Sequence, residues 1–84
     1  MYSISYSRGV LKALRRMPTN TAKLIRVKLR ALAADPAVMR NVKKLTGSPG
    51  YRLRVGDWRV LYEIDEGRLM VEVIKIETRG GVYK

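Results

Sequence analysis

Arg52, Arg54 and Arg59 are the residues of this 84-residue chain whose type and spacing best suit chemistry. They fall in the segment 51–64, YRLRVGDWRVLYEI, where apolar and polar residues alternate with the period of a strand on either side of Gly56-Asp57. A two-residue connection beginning with Gly suits a type II′ or I′ turn, and such a turn fixes the register of the hairpin. Val55 then faces Trp58, Arg54 faces Arg59, Leu53 faces Val60, Arg52 faces Leu61 and Tyr51 faces Tyr62. One face carries Tyr51, Leu53, Val55, Trp58, Val60, Tyr62 and Ile64 and is predicted to be the core face. The other gathers the three arginines, two of them directly opposed, at a cost of a few tenths of a kcal/mol by like-charge repulsion. Either these arginines splay into solvent on buried stems, or they converge on an anion. Planar, always charged and able to donate in pairs, they have the chemistry of a phosphate site on a polyanion.

The elements that must position this hairpin follow from the flanking sequence. Residues 2–6 alternate Tyr/Ile/Tyr with Ser and predict a short first strand. Ser7 can cap a helix over 8–17, in which Val10, Leu11, Leu14 and Met17 recur at helical spacing before Pro18. A second helix, capped by Thr19, Asn20 or Thr21, is expected to run through Ala34 with Ala22, Ile25, Leu29 and Leu32 on one stripe. Lys23, Arg26, Lys28 and Arg30 fill its outer surface, either as a solvated face or as the seat of an acidic partner. Residues 37–50, with Arg40, Lys43 and Lys44, read as a linker ending in the turn-rich GSPG, with Leu45 plugging the edge of the core.

After the hairpin, 65–68 reads as a turn, and 69–76 is apolar enough to be a central strand covered on both faces. A four-residue turn pairs Ile64 with Leu69, Tyr62 with Val71 and Val60 with Val73. Glu72 then shares the arginine face as a countercharge. Beyond Ile76 the parity fails, which predicts a bulge or the end of the sheet. The tail, TRGGVYK, adds Arg79 and Tyr83 beside a flexible Gly80-Gly81 pair, where Tyr83 can pack on the sheet and Arg79 can stand in solvent.

Composition narrows the function classes. The length makes one domain, 1–84, and 46% apolar residues suffice for a core without cross-links. Neither cysteine nor histidine is present. That removes disulfides, zinc-finger chemistry, Ser/His and Cys/His nucleophilic pairs and the usual general base near neutral pH. No metal or cofactor is expected. No apolar run reaches a membrane span and no signal-peptide pattern opens the chain, so a cytoplasmic location is expected. The net charge of +11 is uneven: eight basic residues precede Asp35, and six of the seven acids lie between Asp57 and Glu77. Such a field attracts nucleic acid, an anionic surface or an acidic protein.

The order of elements, together with ALAADP closing the second helix, KKLTGSPGYRLRVGDWRVLYEI through the hairpin and the ending TRGGVYK, resembles the RelE/ParE superfamily of bacterial toxin-antitoxin toxins over essentially the whole chain. The resemblance implies an α+β fold, a small antiparallel sheet with two N-terminal helices in the order β-α-α-β-β-β, with the active site on the sheet's concave side. It implies a metal-independent endoribonuclease that cuts mRNA, commonly on the ribosome, by attack of a 2′-hydroxyl on the adjacent phosphate to leave a 2′,3′-cyclic phosphate. By the same resemblance Arg59 stabilises the pentacovalent phosphate, and Arg79 stabilises the transition state or protonates the leaving group. Tyr83 stacks on a base or takes part in proton transfer. Arg52 and Arg54 stand where RelE has lysines, and Thr78 stands where many relatives have a histidine. Since arginine is a poor general base, Tyr83 becomes the leading candidate for that role, with its phenol eased by surrounding guanidiniums. A cognate antitoxin is the implied partner, with operator DNA reached only through that complex. Two other readings are a ParE-like inhibitor of DNA gyrase and an inactive basic module acting in an antitoxin-operator complex.

Overall fold

The computed structural model describes residues 2–36, 42–47 and 49–78. The first strand, β1 (Ser3–Tyr6), leads directly into α1 (Arg8–Arg16) through Ser7. As expected, Ser7 is the N-cap: its hydroxyl oxygen accepts from the Val10 backbone N–H at 3.2 Å. That satisfies one of the donors a helix start leaves open. Arg15 and Arg16 in the last turn suit the negative end of the helix dipole. The second helix, α2 (Thr19–Ala34), begins after Pro18. Here the expectation of a Thr or Asn cap is corrected: Pro18 holds the cap position without a side-chain hydrogen bond, and Thr19, Asn20 and Thr21 lie within the first turn. Proline's fixed φ already suits a helix start, so no side-chain cap is needed to set the entry.

Beyond α2 the chain forms β2 (Val42–Lys44), β3 (Tyr51–Val55), β4 (Trp58–Asp65) and β5 (Met70–Thr78). The sheet order is β1-β5-β4-β3-β2. The α+β architecture with two N-terminal helices is therefore as expected, with two differences. First, β1 lies parallel to β5, so the sheet is mixed rather than wholly antiparallel. Second, residues 42–44, expected to be linker, add a fifth strand antiparallel to β3. Three residues rich in lysine carry too little alternation to announce a strand. They pair because the β3 edge would otherwise leave its backbone groups unpartnered.

The β3–β4 hairpin has the predicted register at every pair from Val55↔Trp58 to Tyr51↔Tyr62. Gly56 takes φ +59, as the first central residue of a type II′ turn requires. The β4–β5 register differs from expectation by two residues at Ile64, which pairs with Val71, and at Tyr62, which pairs with Val73, and by three at Val60, which pairs with Ile76. Asp65 belongs to β4 and pairs with Met70, so the turn is 66–69, and Leu69 adopts φ 51 at its end. A register shift at Leu61/Tyr62 skips Ile74, which is the extra residue of a β-bulge on β5. The expected bulge thus exists, but before Ile76 rather than after it. The Ser7 hydroxyl donates to the Ile74 carbonyl at 2.9 Å, and the Ser7 N–H donates to Val73 O at 3.0 Å. One residue therefore caps α1 and holds the bulge.

Both helices cover one side of the sheet, α1 against β5 and α2 against β1 and β3. Ile25, Leu29 and Leu32 of α2 and Val10 and Leu14 of α1 bury themselves against Leu53, Val60, Tyr62, Val71 and Val73. The predicted stripe of α2 and the predicted core face of the hairpin are both found there, Tyr51, Trp58 and Ile64 being partly buried at its margin. Tyr51 and Tyr62 stack with centroids 5.5 Å apart. Burial, and secondarily the Tyr51 phenol, pushes the Tyr62 hydroxyl up to about 12. On α2, Arg26 is half-buried with its guanidinium over the Tyr6 ring at 5.7 Å, so the outer surface is not uniformly solvated. The expectation that β5 is central and covered on both faces is corrected: β4 is the middle strand, and Ile74 and Lys75 of β5 are exposed. Two helices suffice to cover only one face of this sheet.

Candidate functional site

The uncovered face of the sheet holds the arginines. Arg54 and Arg59 are paired in register, and Arg52 lies one pleat away on β3, opposite Leu61. They converge on a cleft of about 200 Å³ lined by Arg52, Arg54, Gly56, Asp57, Trp58 and Arg59. The structure thus brings together the three arginines singled out from the sequence. Arg79 and Tyr83 lie outside the described residues, as does Arg40.

The repulsion built into the Arg54–Arg59 pair is relieved by turning the two side chains in opposite directions. Arg54 folds back along its own hairpin, Nε donating to the Gly56 carbonyl at 3.5 Å. Arg59, half-buried, leans toward β5, where its guanidinium lies 3.8 Å from Glu77 Oε1. The other carboxylate oxygen of Glu77 lies 3.7 Å from Lys75 Nζ. Pairs this open contribute about 0–1 kcal/mol each to stability. Their effect is to set direction: Arg59 is held across the sheet surface instead of extending into water.

Glu72 was expected to be the countercharge, and this is corrected. It pairs with Glu63, further along the sheet, whereas Glu77 stands directly across from Arg59. The bulge is the cause. By inserting Ile74, it turns Lys75 and Glu77 onto the arginine face and returns Ile76 to the core, where it is buried. Without that extra residue, Lys75 and Glu77 would point at the helices.

Two rows of side chains result. One runs Arg54–Arg59–Glu77 across β3, β4 and β5; the other runs Lys43–Arg52–Leu61–Lys75 across β2 to β5. At about 4.8 Å between strands, Lys43 and Lys75 stand roughly 14 Å apart with the arginines beside them. Sequence reasoning missed Lys43, Lys75 and Glu77 as members of this face. Lys43 becomes visible only once 42–44 is known to be a strand, and the other two only once the bulge is placed. The parity failure near Ile76 was the one available signal.

Chemically, the described residues form a polycationic surface with the Glu77 carboxylate set across from Arg59 and Asp57 also lining the cleft. No cluster of His, Cys, Asp and Glu able to hold a metal ion occurs among the described residues. Nor is any helix among them long and apolar enough to cross a membrane. The guanidiniums can accept a phosphodiester and stabilise charge that builds on it.

Comparison with known proteins agrees with this architecture. The family profile described as "ParE toxin of type II toxin-antitoxin system, parDE" matches residues 4–83. A Methanocaldococcus jannaschii protein named "Putative toxin RelE1" is 29% identical over 86 residues, covering 99% of this chain and 96% of that protein. The archaeal RelE-RelB complex from Pyrococcus horikoshii OT3 contains a chain of the same fold, with a TM-score of 0.83, 27% identity and coverage of 96% of this chain and 98% of that one. A chain of the intact E. coli RelBE toxin-antitoxin complex shares the fold at a TM-score of 0.79 and 22% identity, covering 100% and 99% of the two chains. The chain belongs to the RelE/ParE superfamily of type II toxin-antitoxin toxins.

Proposed function

We propose that this toxin is a metal-independent endoribonuclease that cuts mRNA in company with the ribosome, in the cytoplasm. The observation that carries the reading is the convergence of Arg52, Arg54 and Arg59 on one cleft of the open sheet face, with Arg59 aimed by Glu77. A 2′-hydroxyl attacks the adjacent phosphate, whose developing charge Arg59 stabilises. Arg52 and Arg54 hold the phosphates, and the tail supplies Arg79 for transition-state stabilisation or leaving-group protonation and Tyr83 for base stacking or proton transfer. The products are a 2′,3′-cyclic phosphate and a 5′-hydroxyl. A cognate antitoxin neutralises the chain, consistent with the RelE-RelB complexes among its structural relatives and with the +11 charge. Operator DNA is reached only through that complex.

The matching family profile carries the ParE name, which keeps a second reading in view, inhibition of DNA gyrase. Induction of the chain in a bacterial host, with primer extension on a translated message, separates the two. Growth arrest with new 5′ ends is the expected result. Arrest with intact messages, coupled with loss of supercoiling when purified protein is added to gyrase, identifies the gyrase inhibitor. No arrest from folded protein identifies an inactive module that acts only with its antitoxin.

The row Lys43–Arg52–Leu61–Lys75 gives a binding prediction. Replacing Lys43 and Lys75 together with Gln is expected to weaken binding of a non-cleavable single-stranded RNA. The slope of log K against log salt should fall by about 0.7 per lysine removed, as for release of one counterion each. An unchanged slope in a filter-binding titration would place the RNA elsewhere.

A further inference from the structure

The proposed reaction needs a group to take the proton of the attacking 2′-hydroxyl, and we infer that this group is Glu77. The assignment rests on the endoribonuclease reading above. No histidine exists in the chain. Arginine stays protonated and cannot serve. On the described sheet face, Glu77 is the carboxylate directly across from Arg59, and its Oε1 lies 3.8 Å from that guanidinium. Its side chain is only 22% exposed, and its second oxygen is tied to Lys75 at 3.7 Å. Both features bias it toward Arg59 and Lys75 before substrate arrives. Asp57 also lines the cleft but is exposed in the hairpin turn, and Glu63, Glu72 and Asp65 are carried by the far ends of β4 and β5, at Glu63↔Glu72 and Asp65↔Met70.

The geometry fits the reaction because nucleophile and phosphate are neighbours on one nucleotide. A phosphodiester accepted by Arg59, with Arg54 on its other flank, brings the 2′-oxygen of the nucleotide that carries that 3′-phosphate against the adjacent row position, which is Glu77. Loosely paired at 3.7–3.8 Å, the carboxylate is not locked into short hydrogen bonds and has lone pairs to offer. It takes the 2′-hydroxyl proton as the 2′-oxygen forms a bond to phosphorus. The bond from phosphorus to the 5′-oxygen breaks, and that oxygen takes a proton from water. Glu77 then returns its proton to solvent. Among the described residues, the charged groups facing the carboxylate are Arg59 from β4 and Lys75 from β5, with Arg54 of β3 beyond Arg59.

The test is single-turnover cleavage of a message on programmed ribosomes by the full chain, its Glu77→Gln variant and its Glu77→Asp variant. Each is also titrated with an RNA carrying a 2′-deoxy sugar at the cleavage position. Glu77→Gln is expected to lose about 10²–10⁴-fold in rate, while binding the deoxy RNA at least as tightly, because a negative charge has left a cationic surface. Glu77→Asp should recover part of the rate. A Gln variant that cuts within about threefold of wild type, or one that loses rate and binding of the deoxy RNA together and is not rescued by Glu77→Asp, overturns the assignment and leaves Glu77 as a positioning residue for Arg59. A wild-type chain that binds the deoxy RNA but does not cut overturns the endoribonuclease reading, and the assignment with it.

Discussion

Arg59→Ala is expected to abolish growth arrest and to remove the new 5′ ends from a translated message, with a loss of about 10²–10³-fold in single-turnover cleavage. Arg59 occupies the middle of the row between Arg54 and Glu77, half-buried and aimed across the sheet. In the proposed reaction a guanidinium in that position donates two parallel hydrogen bonds to the phosphate, and Glu77 directs it across the sheet. Arg59→Lys should restore only a fraction, since an ammonium is a point donor without the planar fork. Neither variant should unfold the domain, because the ion pair to Glu77 is worth at most about 1 kcal/mol. Thermal unfolding of Arg59→Ala within a few degrees of wild type would exclude misfolding as the cause. Arrest by Arg59→Ala with the same 5′ ends as wild type would move the site off this face.

Leu29→Ala carries the largest expected effect on stability. Leu29 is fully buried, in the stripe of α2 that includes Ile25 and Leu32, and the helix covers the reverse side of the sheet. Removing three carbon atoms there leaves a cavity that surrounding side chains fill only in part, at a cost of about 2–5 kcal/mol. A domain of this size has a total stability of roughly 5–15 kcal/mol. At about 4–8 °C per kcal/mol, the melting temperature should fall by at least about 8 °C. Leu24→Ala makes the control: the same chemical change on the same helix, but at a position 47% exposed, should stay within about 0.5 kcal/mol. Equal losses for the two would mean that something covers the outer face of α2 in solution. The site itself should survive in Leu29→Ala at low temperature, because the substitution touches none of the arginines.

The pairing of effects reflects the layering of the fold. Core residues alternate with Arg52 and Arg54 along β3 and flank Arg59 on β4, so the helices that hold Leu53 and Val60 in the core also fix the direction of Arg52, Arg54 and Arg59 on the other side. Rigid packing on one face is what lets like charges converge on the other. The bulge at Ile74 extends this logic to β5, placing Lys75 and Glu77 beside the arginines while keeping Ile76 in the core.

The sequence by itself determined whatever was local. The Gly56-Asp57 turn set five cross-strand pairs, because two residues leave no freedom of register and the alternation assigns each side chain to a face. Ser7, Pro18 and the spacing of Ile25, Leu29 and Leu32 marked the helices, since caps and helical periodicity act within a few residues. The three arginines of the cleft followed from the same counting. Tertiary structure alone decided the pairing of β5. Leu69 reads as the first residue of a strand, yet it sits in a left-handed turn conformation that disfavours its side chain, and Asp65 pairs where a turn was expected. Parity showed that a residue had to be skipped, but not which one. That choice fell to Ser7, far away in the chain, whose hydroxyl and N–H meet the backbone of Ile74 and Val73. The parallel partnership of β1 with β5 and the strand at 42–44 are likewise settled by backbone groups that must find partners across long stretches of chain. Glu77 stands beside Arg59 for that reason: its place is fixed by hydrogen bonds made by residues that its own neighbourhood in the sequence does not contain.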